Sequence, residues 1–257
     1  MEKKSKRASA SIVRKAIDEL RKKYSWTPSD IINMLRGGGS SSKGSGYERD
    51  VCRQLSLWWT AGARDDIYWR SSGSGARAKV RGRGGKNTAG QHGDVAATDP
   101  IGTPLINIFT IEIKRGYSEH TIHDLIDRVM GGGVQEYERF LVQTLESYEQ
   151  AGSYAWLMIT RRDRRRALVW MPDFVLKELR YVGAFGNGRP APFVRMAISL
   201  RYSNSGECCV DVCGMVLDDW LMGVTPEHIL KLEGVHNGTS TLTRHGAGGG
   251  RHKKSQA

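Results

Sequence analysis

The sequence predicts an α/β fold: a mixed β-sheet flanked by helices, with a helical N-terminal arm and a C-terminal α+β extension. Three observations carry this expectation. Ile108–Lys114 (IFTIEIK) alternates in the manner of a strand, with Phe109, Ile111 and Ile113 on one face and Thr110, Glu112 and Lys114 on the other. Segments before and after it carry apolar residues at helical spacing. The order helix, strands, helix, strands through the middle of the chain packs helices against a sheet that is neither purely parallel nor purely antiparallel.

Taken in order, residues 9–36 read as two short helices. The first has Ile12, Val13, Ala16, Ile17 and Leu20 on one face, and the second opens with Thr27-Pro28-Ser29-Asp30, an N-cap followed by proline at the first helical position. Residues 1–36 are thus a basic helical arm, and 37–46 (GGGSSSKGSG) a flexible linker. A helix then starts near Tyr47, burying Tyr47, Val51, Leu55 and Trp58; at least one of Trp58 and Trp59 belongs to the core rather than to a base-stacking surface. Ile67–Arg70 is a short strand, and Ser71–Gly93, rich in Gly and Arg, is a loop. Asp94–Ala97 begins a strand expected to pair with Ile108–Lys114, and Thr98–Pro104 holds turn residues.

Beyond that strand, Thr121–Met130 reads as an amphipathic helix stopped by Gly131–Gly133. Glu136–Ala151 reads as a longer one stopped by Gly152. Tyr154–Thr160 and Ala167–Met171 are strands joined across an arginine-rich turn, closing a unit over 47–172. Residues 173–234 form the α+β extension, with a Phe193–Tyr202/Glu207–Val216 hairpin and a last helix capped at Thr225-Pro226. Residues 235–257 have little to bury and read as a disordered tail.

The charge is concentrated. The formal net charge is +12 and the pI about 9.7. Residues 1–23 hold nine Lys or Arg against three acids, Arg70–Lys86 six basic residues and no acid, and Arg161–Arg166 five arginines. Separate basic clusters suit a phosphate backbone, where each neutralised phosphate releases counterions. Four scattered cysteines fit no zinc framework and are expected to be reduced thiols. No apolar run approaches 18 residues and no secretory signal opens the chain, so no membrane partner is expected. The expected location is the cytoplasm of a prokaryote or of a phage-infected host.

Glu112 and Lys114 lie two residues apart on one face of a strand, roughly 6–7 Å between their Cβ atoms. Asp94 at the start of the strand expected alongside brings a second carboxylate to Glu112. Two converging carboxylates repel unless a cation sits between them, and hard oxygen ligands suit Mg²⁺, with Mn²⁺ able to substitute. Such a metal polarises a phosphate and lowers the pKa of an attacking water, while Lys114 positions that water and offsets charge. Glu48 on the preceding helix completes the metal shell.

Gly46-Tyr47-Glu48-Arg49, Gly93-Asp94 and Glu112-Ile113-Lys114 together resemble the restriction-endonuclease-like superfamily, the PD-(D/E)XK nucleases. Within it the likeness is to archaeal-type Holliday junction resolvases and related phage nucleases, over roughly residues 44 to 172. The resemblance implies a restriction-endonuclease-like sheet and metal-dependent hydrolysis of DNA, with Asp94 and Glu112 as metal ligands, Lys114 as catalytic lysine and Glu48 as the helix-borne acid. It implies a branched substrate and a homodimer, since paired cuts in a junction need two sites. The segment from Arg70 through Ser71 to Ser74 resembles a resolvase loop in which a serine approaches the scissile phosphate. Candidate DNA-binding residues are therefore Arg70, Ser71, Ser74, Arg77, Lys79, Arg81, Arg83 and Lys86, with Arg161, Arg162, Arg164 and Arg165 in the later turn. Some relatives carry a glutamine on the following helix, and Gln135 and Gln143 both fit.

Three features depart from the pattern. Gly93 stands where the superfamily's name has proline, the long Asp94–Glu112 interval calls for a wider hairpin, and the helix over 121–130 is an insertion. His92 reads as a solvent-exposed loop residue. Two rival functions remain: a restriction-type or general recombination and repair nuclease on linear DNA, and a non-catalytic basic nucleic-acid-binding module.

Overall fold

In the computed structural model, residues 45–71, 92–116, 119–127, 133–186, 193–202 and 206–238 are described, together with Lys15, Asp18 and Glu19. The N-terminal arm beyond those three residues, the linker up to residue 44, the basic loop 72–91 and the tail from 239 lie outside the described residues.

Helix α1 (Ser45–Trp59) forms because its apolar residues recur on one face, burying Tyr47, Val51, Leu55 and Trp58. It stops where Ala61 and Gly62 take positive φ and the Gly62 N–H donates to Leu57 O at 2.7 Å. Both tryptophans are core: the Trp58 indole N–H donates to Leu221 O (2.9 Å) and that of Trp59 to Ile101 O (2.9 Å). The Ser56 hydroxyl accepts from Tyr68 N–H at 2.8 Å, fixing strand β1 (Tyr68–Arg70) beside the helix.

Strand β2 (Val95–Ala97) pairs antiparallel with β1, not with the Glu112 strand as expected. Asp94, one residue earlier, makes the hydrogen bonds to that strand. The interval from 98 to 108 holds no wider hairpin. A 3₁₀ turn over Pro100–Gly102, capped by Asp99, runs into helix α2 (Thr103–Ile108), which carries the chain onward. Ile108 therefore ends a helix, and strand β3 begins one residue later (Phe109–Arg115).

The five-stranded sheet adds β4 (Ala155–Arg161), β5 (Leu168–Pro172), β6 (Phe193–Tyr202) and β7 (Gly206–Val216). Its order is β3-β4-β5-β7-β6, with β3 and β4 parallel and the other pairs antiparallel. The expected C-terminal hairpin thus extends this same mixed sheet. Parallel pairing of β3 and β4 needs a crossover, which helix α3 (Glu136–Ala151) supplies before ending at Gly152 in the left-handed conformation. Helix α4 (Asp173–Tyr181) leads into the hairpin, followed by α5 (Leu217–Gly223) and α6 (Pro226–Gly238).

Phe109, Ile111 and Ile113 pack into one core with α1 and the C-terminal helices. Trp156, Met158 and Trp170 pack into another, under α3. The expected helix over 121–130 is, among the described residues, a single 3₁₀ turn at Ile122–Leu125. Ile122 and Leu125, three residues apart, find that second core, whereas Ile126 is 66% exposed, so a helical stripe has nothing to pack on.

Gly214 faces Trp170 across the β5/β7 ladder, and a Cβ there would stand 2.2 Å from the indole ring, which is itself tied by its N–H to Thr160 Oγ1 at 3.0 Å. Gly214→Ala is expected to cost about 1–3 kcal/mol by overpacking. A lower urea midpoint with an unchanged m-value checks this, and an unshifted midpoint contradicts it.

Candidate active site

The site is assembled at the outer edge of β3. An edge strand presents unpaired backbone groups, and Asp94 takes two of them. Its N–H donates to Ile111 O at 2.7 Å, and its carboxylate accepts the Ile113 N–H at 2.8 Å. Gly93 makes this approach feasible. Its φ is +79°, and a Cβ there would sit 2.7 Å from Ile111 O. Ser71 braces the same turn, its N–H donating to Asp94 O at 3.1 Å and its hydroxyl to Gly93 O at 2.6 Å.

Glu112 points from β3 toward α3 and is 1% exposed. Lys114 donates to Glu112 Oε2 at 2.9 Å, and Gln143 on α3 approaches the same oxygen at 3.4 Å. Of the two candidate glutamines, Gln143 meets the acid, while Gln135 caps the N-terminus of α3. Glu48, in the first turn of α1, is ion-paired to Arg70. Its charge acts on both Asp94 and Lys114. Glu48, Asp94, Glu112 and Lys114 thus face one another from three elements.

Electrostatics follow from burial. Burial, and then the neighbouring Glu112 charge, push the Asp94 carboxyl up to about 7, against the pull of Lys114 and the Ile113 N–H. Burial presses Lys114 down, but the Glu112, Asp94 and Glu48 charges outweigh it and hold its ammonium above the ordinary lysine value. Behind the acids, burial and then the Glu48 and Asp94 charges raise the Cys52 thiol to about 12, so it stays protonated.

The remaining predicted residues divide. Arg70 gives its guanidinium to Glu48, and Ser71 is buried in the Gly93–Asp94 turn. Arg161, Arg162, Arg164 and Arg165 end β4 and form the β4–β5 turn, with Arg164 in the left-handed conformation. Ser74, Arg77, Lys79, Arg81, Arg83 and Lys86 lie outside the described residues. His92 is half-buried rather than solvent-exposed, because its ring is drawn in beside the Gly93 turn. Among the described residues its buried Nε2 has no hydrogen-bond partner, and burial lowers its pKa. Sequence reading overlooked Arg115, which stands with Arg161 over the Tyr47 ring.

Among the described residues no group of three His, Cys, Asp or Glu side chains is spaced to hold a metal ion. The donor set nevertheless fits a hard divalent cation. Two buried carboxylates, one of them held from ionising first by burial and then by the other's charge, gain most from a cation between them.

Residues 39–231 match a family model described as "phage putative PDDEXK endonuclease". No curated protein and no solved structure matches the chain.

Asp94 gives a pH test. Its folded-state value lies above the ordinary 3.8, so the protonated form favours the folded state. That contribution is complete below about pH 4 and is lost as pH rises through about 7. Metal-free protein is expected to lose stability relative to Asp94→Asn, on the order of 2–4 kcal/mol, between pH 4 and pH 8. Denaturant melts of both proteins at each pH check it, and a constant difference between them would remove Asp94 as the cause.

Proposed function

The chain belongs to the phage PD-(D/E)XK endonuclease family, and from that membership we propose that it is a divalent-metal-dependent DNA endonuclease whose active site is Glu48, Asp94, Glu112 and Lys114. The observation that supports it best is the convergence of Asp94 and Glu112 at the β3 edge, with Lys114 bound to Glu112 at 2.9 Å.

Asp94 and Glu112 would hold the cation, Mg²⁺ or Mn²⁺, whose chemistry there is to polarise the scissile phosphate and acidify a water. The chain's own groups do the rest. The Ile113 N–H holds the Asp94 carboxylate in one orientation, and Gln143 and Lys114 do the same for Glu112. Lys114, kept protonated by three acids, donates to the attacking water or to the phosphate oxygen on which charge develops. Glu48, ion-paired to Arg70, would complete the shell of such a cation, directly or through a water. The basic residues of 70–86 and 161–165 grip the flanking backbone. A branched DNA substrate follows from the resolvase likeness, and paired cuts in such a junction would require a homodimer.

Asp94→Asn, Glu112→Gln and Lys114→Ala are each expected to lower cleavage by roughly 10²–10⁴-fold while DNA binding is kept or tightened. The assay is a panel of four-way junction, linear duplex and single-stranded DNA with Mg²⁺. Paired nicks confined to the junction fit a resolvase, and cutting of the linear forms fits a restriction-type or repair nuclease. Tight binding with no metal-dependent cutting of any substrate would leave only a binding module.

Metal binding has a separate readout. Mg²⁺ at pH 8 is expected to raise the unfolding midpoint of the wild type, because it binds the ionised folded form. Asp94→Asn should respond much less, and equal shifts would place the cation elsewhere.

A further inference from the structure

We propose that Arg115 and Arg161 form a two-pronged clamp for a single DNA phosphate, next along the backbone from the one held at Lys114. The proposal rests on the nuclease reading above. The two arginines are register partners on the parallel strands β3 and β4, so their side chains leave the sheet on one face. Both guanidinium groups stand over the Tyr47 ring, 5.7 and 5.6 Å from its centroid. Tyr47 is 3% exposed, which makes the ring a fixed platform for two long side chains. Past the pair, Gly116 N–H donates to Arg161 O at 3.1 Å and holds the strand ends together.

Two cations drawn to one neutral ring repel each other. One acid beside them is Asp163, which is 60% exposed and 4.0 Å from the Arg115 Nε. Asp50 and Asp218 act on the Tyr47 hydroxyl, and Asp218 already pairs with Arg166. A bridging anion with several acceptor oxygens offsets that repulsion, and two guanidinium forks match a phosphate in geometry as well as charge. Exposure favours access: Arg115 is largely buried and fixed, while Arg161 is open to solvent.

Position identifies which phosphate. Arg115 follows Lys114 at the same end of β3, its side chain leaving by the opposite face toward α1, where Tyr47 precedes Glu48, so the clamp and the four-residue site share that end of β3 and the first turn of α1. Arg161 also opens the arginine turn, so a backbone leaving the clamp meets Arg162, Arg164 and Arg165 next. The turn supplies diffuse attraction, whereas the pair supplies a fixed point.

The test is a double-mutant cycle on binding of a linear duplex, in an Asp94→Asn background without metal. Arg115→Met and Arg161→Met keep an apolar stem against the ring, and unfolding midpoints check that the variants fold. If both arginines hold one phosphate, either substitution weakens binding about tenfold. The double variant should be scarcely weaker than either single one. The slope of log Kd against log salt should fall by about one in all three. Additive losses, with the slope falling by about two in the double variant, would mean separate contacts and overturn the clamp, as would no loss at all.

Placement is read by cleavage. An uncharged methylphosphonate beside the mapped cut should slow the wild type about tenfold and leave the double variant unaffected. A response retained in the double variant contradicts the placement. If the wild type cuts no DNA, the nuclease reading and this placement fall together, while the binding cycle still decides the clamp.

Discussion

The double attachment of Asp94 to the edge of β3 is the constraint on which the rest of the site depends. One residue supplies a backbone donor to Ile111 and a carboxylate acceptor to Ile113, standing in for a neighbouring strand over a single step. That substitution explains why β2 can pair with β1 and still deliver an acid to β3. It also explains the residues around it. Only a glycine at 93 allows the close approach at a positive φ, and Ser71 takes up the carbonyl that the turn leaves behind.

The same attachment sets the electrostatics. Drawn against the strand, Asp94 loses water and comes under the charge of Glu112, whose own carboxylate is more deeply buried still. Lys114 compensates one of the two acids, and Arg70 compensates Glu48. The local sum is therefore short of positive charge, in a chain whose net charge is +12. Folding has gathered three acids against two cations, an arrangement that weakens the metal-free fold and favours a divalent cation.

How much of this was legible in the sequence depends on the range of the interaction. The alternation of 109–114 placed Glu112 and Lys114 on one face, and the capping and stopping residues of 136–151 bounded a helix, because both patterns are local. Helix α2 was not legible: six residues, apolar and starting with Thr-Pro, show neither an amphipathic stripe nor room for one. The helix expected over 121–130 was read from an amphipathic pattern, whereas only Ile122 and Leu125 of the described residues there meet a core. The partner of β2 and the choice of Gln143 over Gln135 are tertiary facts, since both glutamines stand on α3 or at its cap and only packing against β3 separates them. Arg115 was passed over because it continues the apolar face of its strand, where a charge looks like the end of burial rather than the start of a site.

Parallel pairing of β3 with β4 has two consequences for function that antiparallel pairing would deny. It requires a crossover, and the crossover helix α3 covers the Glu112 face of the sheet and brings Gln143 to its carboxylate. It also brings the C-terminal ends of both strands to one end of the sheet, so that Lys114 and Arg115 meet Thr160 and Arg161 in register. An antiparallel β4 would carry Arg161 and the arginine turn to the far end, away from the acids. Cationic residues distant in sequence thus reach the acids by topology, and the acids reach β3 through a single residue at its edge. The strand Phe109–Arg115 is where the two arrangements meet, and each residue from Ile111 to Arg115 takes part in one of them or in the core beneath.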